Sequence, residues 1–552
     1  MNRYKIEIPL IESYGNCLDD ALVSILIFFK KQYPLLFVKD IGFRFDLNKY
    51  KTTKSLTDNL IIEHGNRKKI VYEYFGIEFK VRTFSNEEHN DFFEAIGSEI
   101  KNNRPVLLEM AKDSNLKKVY EKLAMFDYQT TYYSNHIIIV NGIDFLKKQI
   151  LICDSFFKYK DIQLSFADFI PVEKASMITM RLKNQNLRNT EILKNSIQKY
   201  YSDNNDFNVF KNIKNMKSAL KTYDPKMLKN EFKVEDNVIL QAPLINKIYE
   251  ICKSKKKFSS IVSLLFFCQD ENKVIEITND IEYVSVQWNI ILSMFTKMYY
   301  SRSKSGEYKN RILIKLKLIE EIERNIFKKI NQLNIKRRAS KLYSNKNDIS
   351  DRLFYFSNNI EQSEIISVLI TEHLNNSGVR SKSNPKKKVD FNGLGDYIID
   401  DNLLGSMLSK NEYKFFIDDS NDLGYDNISC SNNNILVKQE HYTFIQLLGC
   451  SEYGRYMEKL KITYIDGTEQ EIKFCFSEWD FGAYDENEVV WRGYGYKKIG
   501  NIYEMPVRLY AKRFPLLNKK VNSIMLPDCP NIHIFGVSLE KPVKKKIDLG
   551  DS

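Results

Sequence analysis

The chain has 552 residues, more than one ordinary hydrophobic core accommodates, so two or three domains are expected. Hydrophobic residues make up 43% and charged residues 28%, the balance of a globular protein, and a net charge of +12 suits an acidic partner, either nucleic acid or an acidic protein. No two of the eight cysteines are spaced CxxC, which excludes the usual structural zinc site.

The opening residues, Met1 to Asn16, carry no signal-peptide apolar region. The longest apolar stretch near them, Ala21 to Phe29, falls far short of the ~20 residues that span a bilayer. Several cysteines lie within apolar strand-like runs (Ile152-Cys153, Phe474-Cys475-Phe476), as reduced buried thiols do. The expectation is a soluble cytoplasmic protein with no membrane partner.

Residues 1–185 read as mixed α and β. The run Tyr14-Gly15-Asn16-Cys17-Leu18-Asp19-Asp20 leads directly into the apolar helical stretch, placing Cys17 at or near a helix N-terminus. The unpaired amides and the helix dipole favour a thiolate there. Ile77 to Arg82 alternates as a strand, Asp91 to Lys101 has helical spacing, and Val106 to Met110 follows the Arg104-Pro105 break as a strand. His136 to Val140 and Gln149 to Cys153 read as an antiparallel pair turning near Phe145 to Lys148. Ala175 to Leu182 is expected to be the strand that closes this domain.

Residues 190–370 are nearly free of glycine and have a helical apolar period, predicting a helical region. Its lysine clusters (Lys211, Lys214, Lys217, Lys221, Lys226, Lys229, and Lys253, Lys255, Lys256, Lys257) read either as a docking surface or as a solvated helix face. Residues 371–388 are expected to be an exposed linker. From 389 to 552 short strands recur, at Thr443 to Gly449, Lys459 to Tyr464, Glu471 to Phe476, Tyr503 to Ala511, Val521 to Leu526 and Ile532 to Leu539. Asp466-Gly467 marks a hairpin, and the spacing predicts a β-sandwich of jelly-roll type. Trp479, Trp491, Tyr494, Tyr496 and Tyr503 are either an aromatic ligand site or the core and rim of that sandwich; the second reading is favoured.

A nucleophilic cysteine needs a base, and the base needs a group that orients it. Among six histidines, His136 alone in the first domain opens a strong apolar strand, and the paired strand ends in Asp154. If the two strands form a hairpin, His136 and Asp154 lie near one end of the sheet, and the second ring nitrogen is left for Cys17.

This order of residues and elements resembles the papain-like fold of the C39 peptidase-like family, over roughly residues 5–185. Matched residue by residue, the resemblance implies Cys17 as nucleophile, His136 as base and Asp154 as orienter. The family pattern also places a Gln shortly before the nucleophile, where its amide helps bind the oxyanion. Here Ile11 and Glu12 occupy that stretch. The hole must use the Cys17 backbone N–H with another donor, and Asn16 is the candidate. This departure disfavours peptide hydrolysis and is less damaging for a thioester, whose acyl carbon is already activated.

A free-standing domain of this kind, with no Walker-type phosphate loop and followed by a helical region, resembles the acyltransferases of antibiotic pathways typified by the butirosin acyl-transfer enzyme. That resemblance implies transfer of an acyl or peptidyl group from the phosphopantetheine thioester of a carrier protein, through Cys17, to an amine. It implies no metal and no dissociable cofactor. A cysteine peptidase or amidase using the same three residues is the first rival, and a non-catalytic binding module the second. Nucleic-acid binding rests on charge alone, without a recognisable motif. Homo-oligomerisation is left open.

Overall fold

The computed structural model describes residues 3–11, 13–14, 16–85, 88–111, 135–155, 159–167, 175–182, 189–232, 242–266, 271–300, 305–333, 363–381, 388–400, 402–418, 423–454, 456–480, 487–497 and 502–542. It is mixed α and β, with a helical middle and a C-terminal β-sandwich-like part. Two compact units are present. The first comprises Met1–Ala219, Tyr249–Ser285 and Leu318–Lys346, and the second Leu220–Ile248, Val286–Lys317 and Asn347–Ser552.

In the first unit, strands β1 (Arg3–Lys5), β4 (Ile77–Phe84), β5 (Val106–Ala111), β6 (Asn135–Asp144), β7 (Gln149–Asp154), β8 (Tyr159–Ser165) and β9 (Ala175–Leu182) form one sheet. Its order is β4-β9-β5-β6-β7-β8, with β1 also on β6. A small ribbon, β2 (Phe43–Phe45) and β3 (Leu60–Ile62), stands apart from it. Strand β6 is the spine. One of its edges holds β5 along the first half (Val106 opposite Val140) and β1 along the second (Lys5 opposite Gly142). The other edge holds β7. Ile138, Ile139 and Val140 are completely buried, which suits a strand covered on both faces. Helices α1 (Cys17–Phe28) and α4 (His89–Lys101) both pack on β6, while α2 (Leu47–Thr53) and α3 (Arg67–Phe75) lie between them in the chain.

Strand order in this sheet is not chain order. Strand β9, the last of the sheet in the chain, inserts between β4 and β5, pairing Phe79 with Met180 and Leu107 with Ile178. Strand β8, unmarked by strong alternation in the sequence, forms one edge, held by β7 pairing such as Ile152 with Ile162.

The helical middle contains α5 (Asn189–Tyr201), α6 (Val209–Thr222), α7 (Pro243–Phe266), α8 (Glu271–Tyr300) and α9 (Ser305–Gln332). It is not a domain of its own, because the division between the two units runs through it. Lys253, Lys255, Lys256 and Lys257 are neither a docking surface nor a solvated face. The Lys255 side chain is almost fully buried against Glu323 at 2.8 Å, and Lys257 is buried between Asp19 at 2.8 Å and Asp40 at 3.1 Å. Lys253 pairs with Glu250, and Lys256 donates to the Ser13 carbonyl. Buried counter-charges turn these cations inward, a property that a run of lysines does not reveal. Lys211 and Lys214 of α6 are exposed, as expected.

In the second unit, β10 (Ser363–Val368), β11 (Val379–Ser381), β12 (Tyr397–Asp400), β15 (Ile428–Ser429), β17 (Phe444–Ser451), β20 (Glu488–Lys497), β21 (Ile502–Pro515) and β23 (Ile532–Pro542) form a large sheet. A second sheet has the order β16-β22-β18-β19 (Asn434–Leu436, Val521–Met525, Glu458–Tyr464, Glu469–Phe474), and β13 (Met407–Lys410) and β14 (Tyr413–Phe416) form a hairpin. Phe474 of the second sheet meets Phe514 of the first at 6.4 Å between ring centres, so apolar faces of the two sheets come together. The Asp466-Gly467 turn joins β18 to β19, with Gly467 at φ 79° as the tight turn requires.

The sandwich begins earlier than 389. Strand β10 pairs with β23 over its whole length, and β11 pairs in parallel with β12. The expected linker therefore does not hold for 371–381, where Asp426 accepts from the backbone N–H groups of Gly378 and Val379. Residues 382–387 lie outside the described residues. Trp479 and Trp491 are buried, whereas Tyr494 is exposed, and Tyr397 stacks on Tyr496 at 5.0 Å. These aromatics divide between core and rim; the Tyr503 side chain is outside the described residues.

Candidate functional site

Helix α1 starts where the sequence places it. Asn16 is extended (φ −148°, ψ 149°), and its Oδ1 accepts the backbone N–H of Asp19 at 2.7 Å, the usual N-cap arrangement. Cys17 is thus the first helical residue. It is a free, partly exposed thiol, and its own N–H belongs to the opening amides that have no acceptor within the helix. The Asn16 Nδ2 donates to Asp19 Oδ2 at 2.8 Å. The Asn16 oxygen caps the helix and its amide nitrogen holds the Asp19 carboxylate, so the structure gives this residue a holding role. Ile11 contributes only an apolar side chain, and Glu12 and Gly15 lie outside the described residues.

The hairpin of β6 and β7 sets the other two residues. Ile139 stands opposite Cys153, so Asp154 follows opposite Ile138 and lies diagonally from His136 on the same face. His136 Nε2 and Asp154 Oδ2 are 2.7 Å apart, with both side chains buried. Burial by itself pulls the His136 pKa down. The bond to Asp154 and the interaction with Cys17 outweigh it and raise the pKa to about 9. Cys17, His136 and Asp154 are therefore brought together at one end of the sheet. Immediately beyond Asp154, the Ser155 hydroxyl lies 2.7 Å from that of Ser24, a second tie between α1 and the hairpin.

Two aspartates beside the cysteine were not singled out from the sequence, where acidic residues in a first helical turn read simply as partners of the helix dipole. Asp19 is buried and takes Arg67 Nε at 2.5 Å and Lys257 at 2.8 Å. Asp40 shares both cations and accepts from the Gly65 N–H at 2.7 Å. Burial opposes ionisation of Asp19, but the two cations dominate and hold its carboxyl far below the usual range. Asp20 is also buried, and among the described residues no cation is in direct contact with it. Burial raises its pKa to about 6 against the opposing bonds from Ser13 and Tyr14. The identities of Arg67, Asp40 and Lys257 as partners had no local signal, since they come from three other segments.

A cavity of about 470 Å³ borders this region, lined among others by Tyr14, Tyr33, Lys256, Ser259, Ser263 and Glu282. Among the described residues, no cluster of three or more His, Cys, Asp or Glu side chains is arranged to hold a metal ion. No helix among them is long and apolar enough to cross a membrane.

Comparison with known proteins informs the C-terminal part. Residues 370–543 match the family described as the AziU2-like beta-sandwich domain. No curated protein matches the chain. A solved family GH115 4-O-methyl-α-glucuronidase, with specificity for decorated arabinogalactans, is similar at 9% identity over 64% of this chain, with a TM-score of 0.12. The chain spans 42% of that protein, and a likeness this faint carries no argument. The family match is accordingly what the comparisons contribute; it covers strands β11 to β23 of the sandwich and begins just after β10.

Proposed function

We propose that this protein is a thiol-dependent acyltransferase that forms an amide, with a papain-like N-terminal fold of the C39 type. The observation that carries the reading is the bond between His136 Nε2 and Asp154 Oδ2 at 2.7 Å, with Cys17 at the start of α1 acting on the same ring. The layout, a cysteine-centred domain, helices and a C-terminal sandwich, is similar to that of the amide synthase of closthioamide assembly. The match of 370–543 to a β-sandwich domain supports the layout.

In the proposed reaction the Cys17 thiol gives its proton to His136 and attacks the carbonyl carbon of an acyl thioester held on a carrier protein. The tetrahedral adduct collapses, the bond to the carrier sulfur breaks, and the His136 imidazolium returns its proton to that sulfur. An amine then attacks the Cys17 thioester. His136 takes the proton of the amine and passes it to the departing Cys17 sulfur. A ring whose basicity Asp154 raises is suited to take the Cys17 proton, and Asp154 fixes its tautomer and stabilises the cation that forms. The Cys17 N–H is the proposed first oxyanion donor. An acidic carrier protein would find the exposed Lys211 and Lys214 attractive. The described cysteines are free thiols, which agrees with a reducing compartment such as the cytoplasm.

The test is intact mass after mixing with acyl-carrier thioesters, followed by addition of an amine. The expected results are an acyl adduct on Cys17, its loss in Cys17→Ala, and an amide product. Peptide cleavage without amide formation would overturn the reading in favour of a peptidase.

A further inference from the structure

We propose that Asp20 is a positioning residue of the Cys17 centre, holding the chain just before the nucleophile; this rests on the acyl-transfer reading above. Its carboxylate, completely buried in the first turn of α1, reaches back past the cysteine. Oδ1 accepts the Tyr14 backbone N–H at 2.5 Å, and Oδ2 accepts the Ser13 hydroxyl at 2.5 Å. The Asp20 backbone N–H meanwhile bonds the Asn16 carbonyl at 3.1 Å. One residue thereby ties down the chain at 13, 14 and 16, bracketing the approach to Cys17.

The clamp is two-sided. Lys256 of α7 donates to the Ser13 carbonyl at 2.7 Å, opposite the Ser13 hydroxyl that Asp20 holds. The Tyr14 ring is wedged against Phe37 at 4.7 Å and Tyr33 at 6.0 Å. The charged groups acting on Asp20 are Asp19 on its own helix and Lys256 on α7. A carboxylate without a contacting cation is costly to bury, and the bonds to Ser13 and Tyr14 are what it obtains in exchange. The proposed first oxyanion donor is the Cys17 N–H, so the backbone that leads into it must be held for that N–H to point at the developing charge. Misplacing such a group by an ångström lowers rate far more than it lowers binding.

The experiment uses the full-length chain as wild type, Asp20→Ala, Asp20→Asn and Cys17→Ala. Cys17 alkylation by iodoacetamide and Cys17 acylation by an acyl-carrier thioester are followed by mass, with folded protein verified by circular dichroism. Asn keeps both contacts, its oxygen accepting from Tyr14 and its amide donating to Ser13. The expectation is a kcat loss of about ten- to a hundredfold in Asp20→Ala with KM little changed, and rescue to within about threefold in Asp20→Asn. Folded Asp20→Ala at the wild-type rate, or Asp20→Asn as slow as Asp20→Ala, would overturn the proposal. Should Asp20→Ala not fold, Ser13→Ala replaces it, with a severalfold loss expected and an unchanged rate overturning the proposal. Absence of any acyl adduct in the wild type would instead refute acyl transfer. The alkylation rates would still decide on Asp20, a slower reaction in Asp20→Ala supporting the clamp and an equal one refuting it.

Discussion

His136 and Asp154 are 18 residues apart in sequence and 2.7 Å apart in space, joined diagonally across the β6–β7 hairpin with both side chains out of water. The pairing is fixed by strand register, because Ile139 opposite Cys153 leaves Asp154 on the face that His136 shares. A buried carboxylate needs hydrogen-bond partners, and the imidazole is one of them.

The first prediction concerns the three residues together. Cys17→Ala should give no acyl adduct. His136→Ala should slow acylation by about 10²- to 10⁴-fold, the range for loss of a general base, and Asp154→Ala by less. Single-turnover rates at fixed pH provide the check, and wild-type rates for both the His and Asp variants would remove the triad.

The His136 pKa of about 9 has a sign that can be tested. A histidine raised in the folded state adds stability that is fully present below pH 6.5 and is lost as the pH rises through about 9. Asp154→Asn removes the anion, so the His136 titration should move to lower pH. Side-chain NMR titration of the two proteins measures this directly, and an unmoved midpoint would contradict the assignment of Asp154 as the partner.

Asp20 gives the opposite kind of group, a carboxyl raised to about 6. Its favourable contribution is present below its ordinary 3.8 and is lost as the pH rises through about 6. Asp20→Asn should therefore melt higher than wild type at pH 7.5, by an amount of order 2 kcal/mol, with the difference closing by pH 4. Thermal melts at the two pH values decide it, and equal stability at pH 7.5 would contradict the burial cost.

Lysines that look alike in sequence should behave differently. Lys257→Ala leaves Asp19 and Asp40 with Arg67 as their one contacting cation among the described residues and should cost about 3–5 kcal/mol. Lys214→Ala on the exposed face of α6 should change stability by less than about 0.5 kcal/mol. Urea unfolding of both variants makes the comparison; similar midpoints would show that the buried assignment is wrong.

Gly449 of β17 sits where another backbone comes close. A Cβ there would lie 2.3 Å from the His533 carbonyl oxygen and 2.9 Å from Phe476 Cε2. Gly449→Ala should destabilise the sandwich by about 3 kcal/mol. Gly306, at the start of α9, has nothing within 4 Å of a built Cβ, and Gly306→Ala should be neutral or stabilise by about 0.5 kcal/mol. A differential melt of the two variants tests the contrast, and a Gly449→Ala protein as stable as wild type would count against it.

Local pattern was enough to mark the helix beginning at Cys17, the paired strands bearing His136 and Asp154, the long helices of the middle region and the strands of the sandwich. Each of these is written in short-range features: a cap, an alternation of period two, a helical repeat, an Asp-Gly turn. What the chain alone did not reveal is of another kind. Insertion of β9 between β4 and β5, recruitment of β10 and β11 into the sandwich, the inward turn of Lys255 and Lys257, and the reach of Asp20 to Ser13 and Tyr14 all depend on partners distant in sequence or on the precise path of a loop. Sequence determined which residues have the chemistry and which local element carries each. Tertiary structure decided which of them meet, because the energy of a buried charge or a paired strand is set by the group that arrives opposite it.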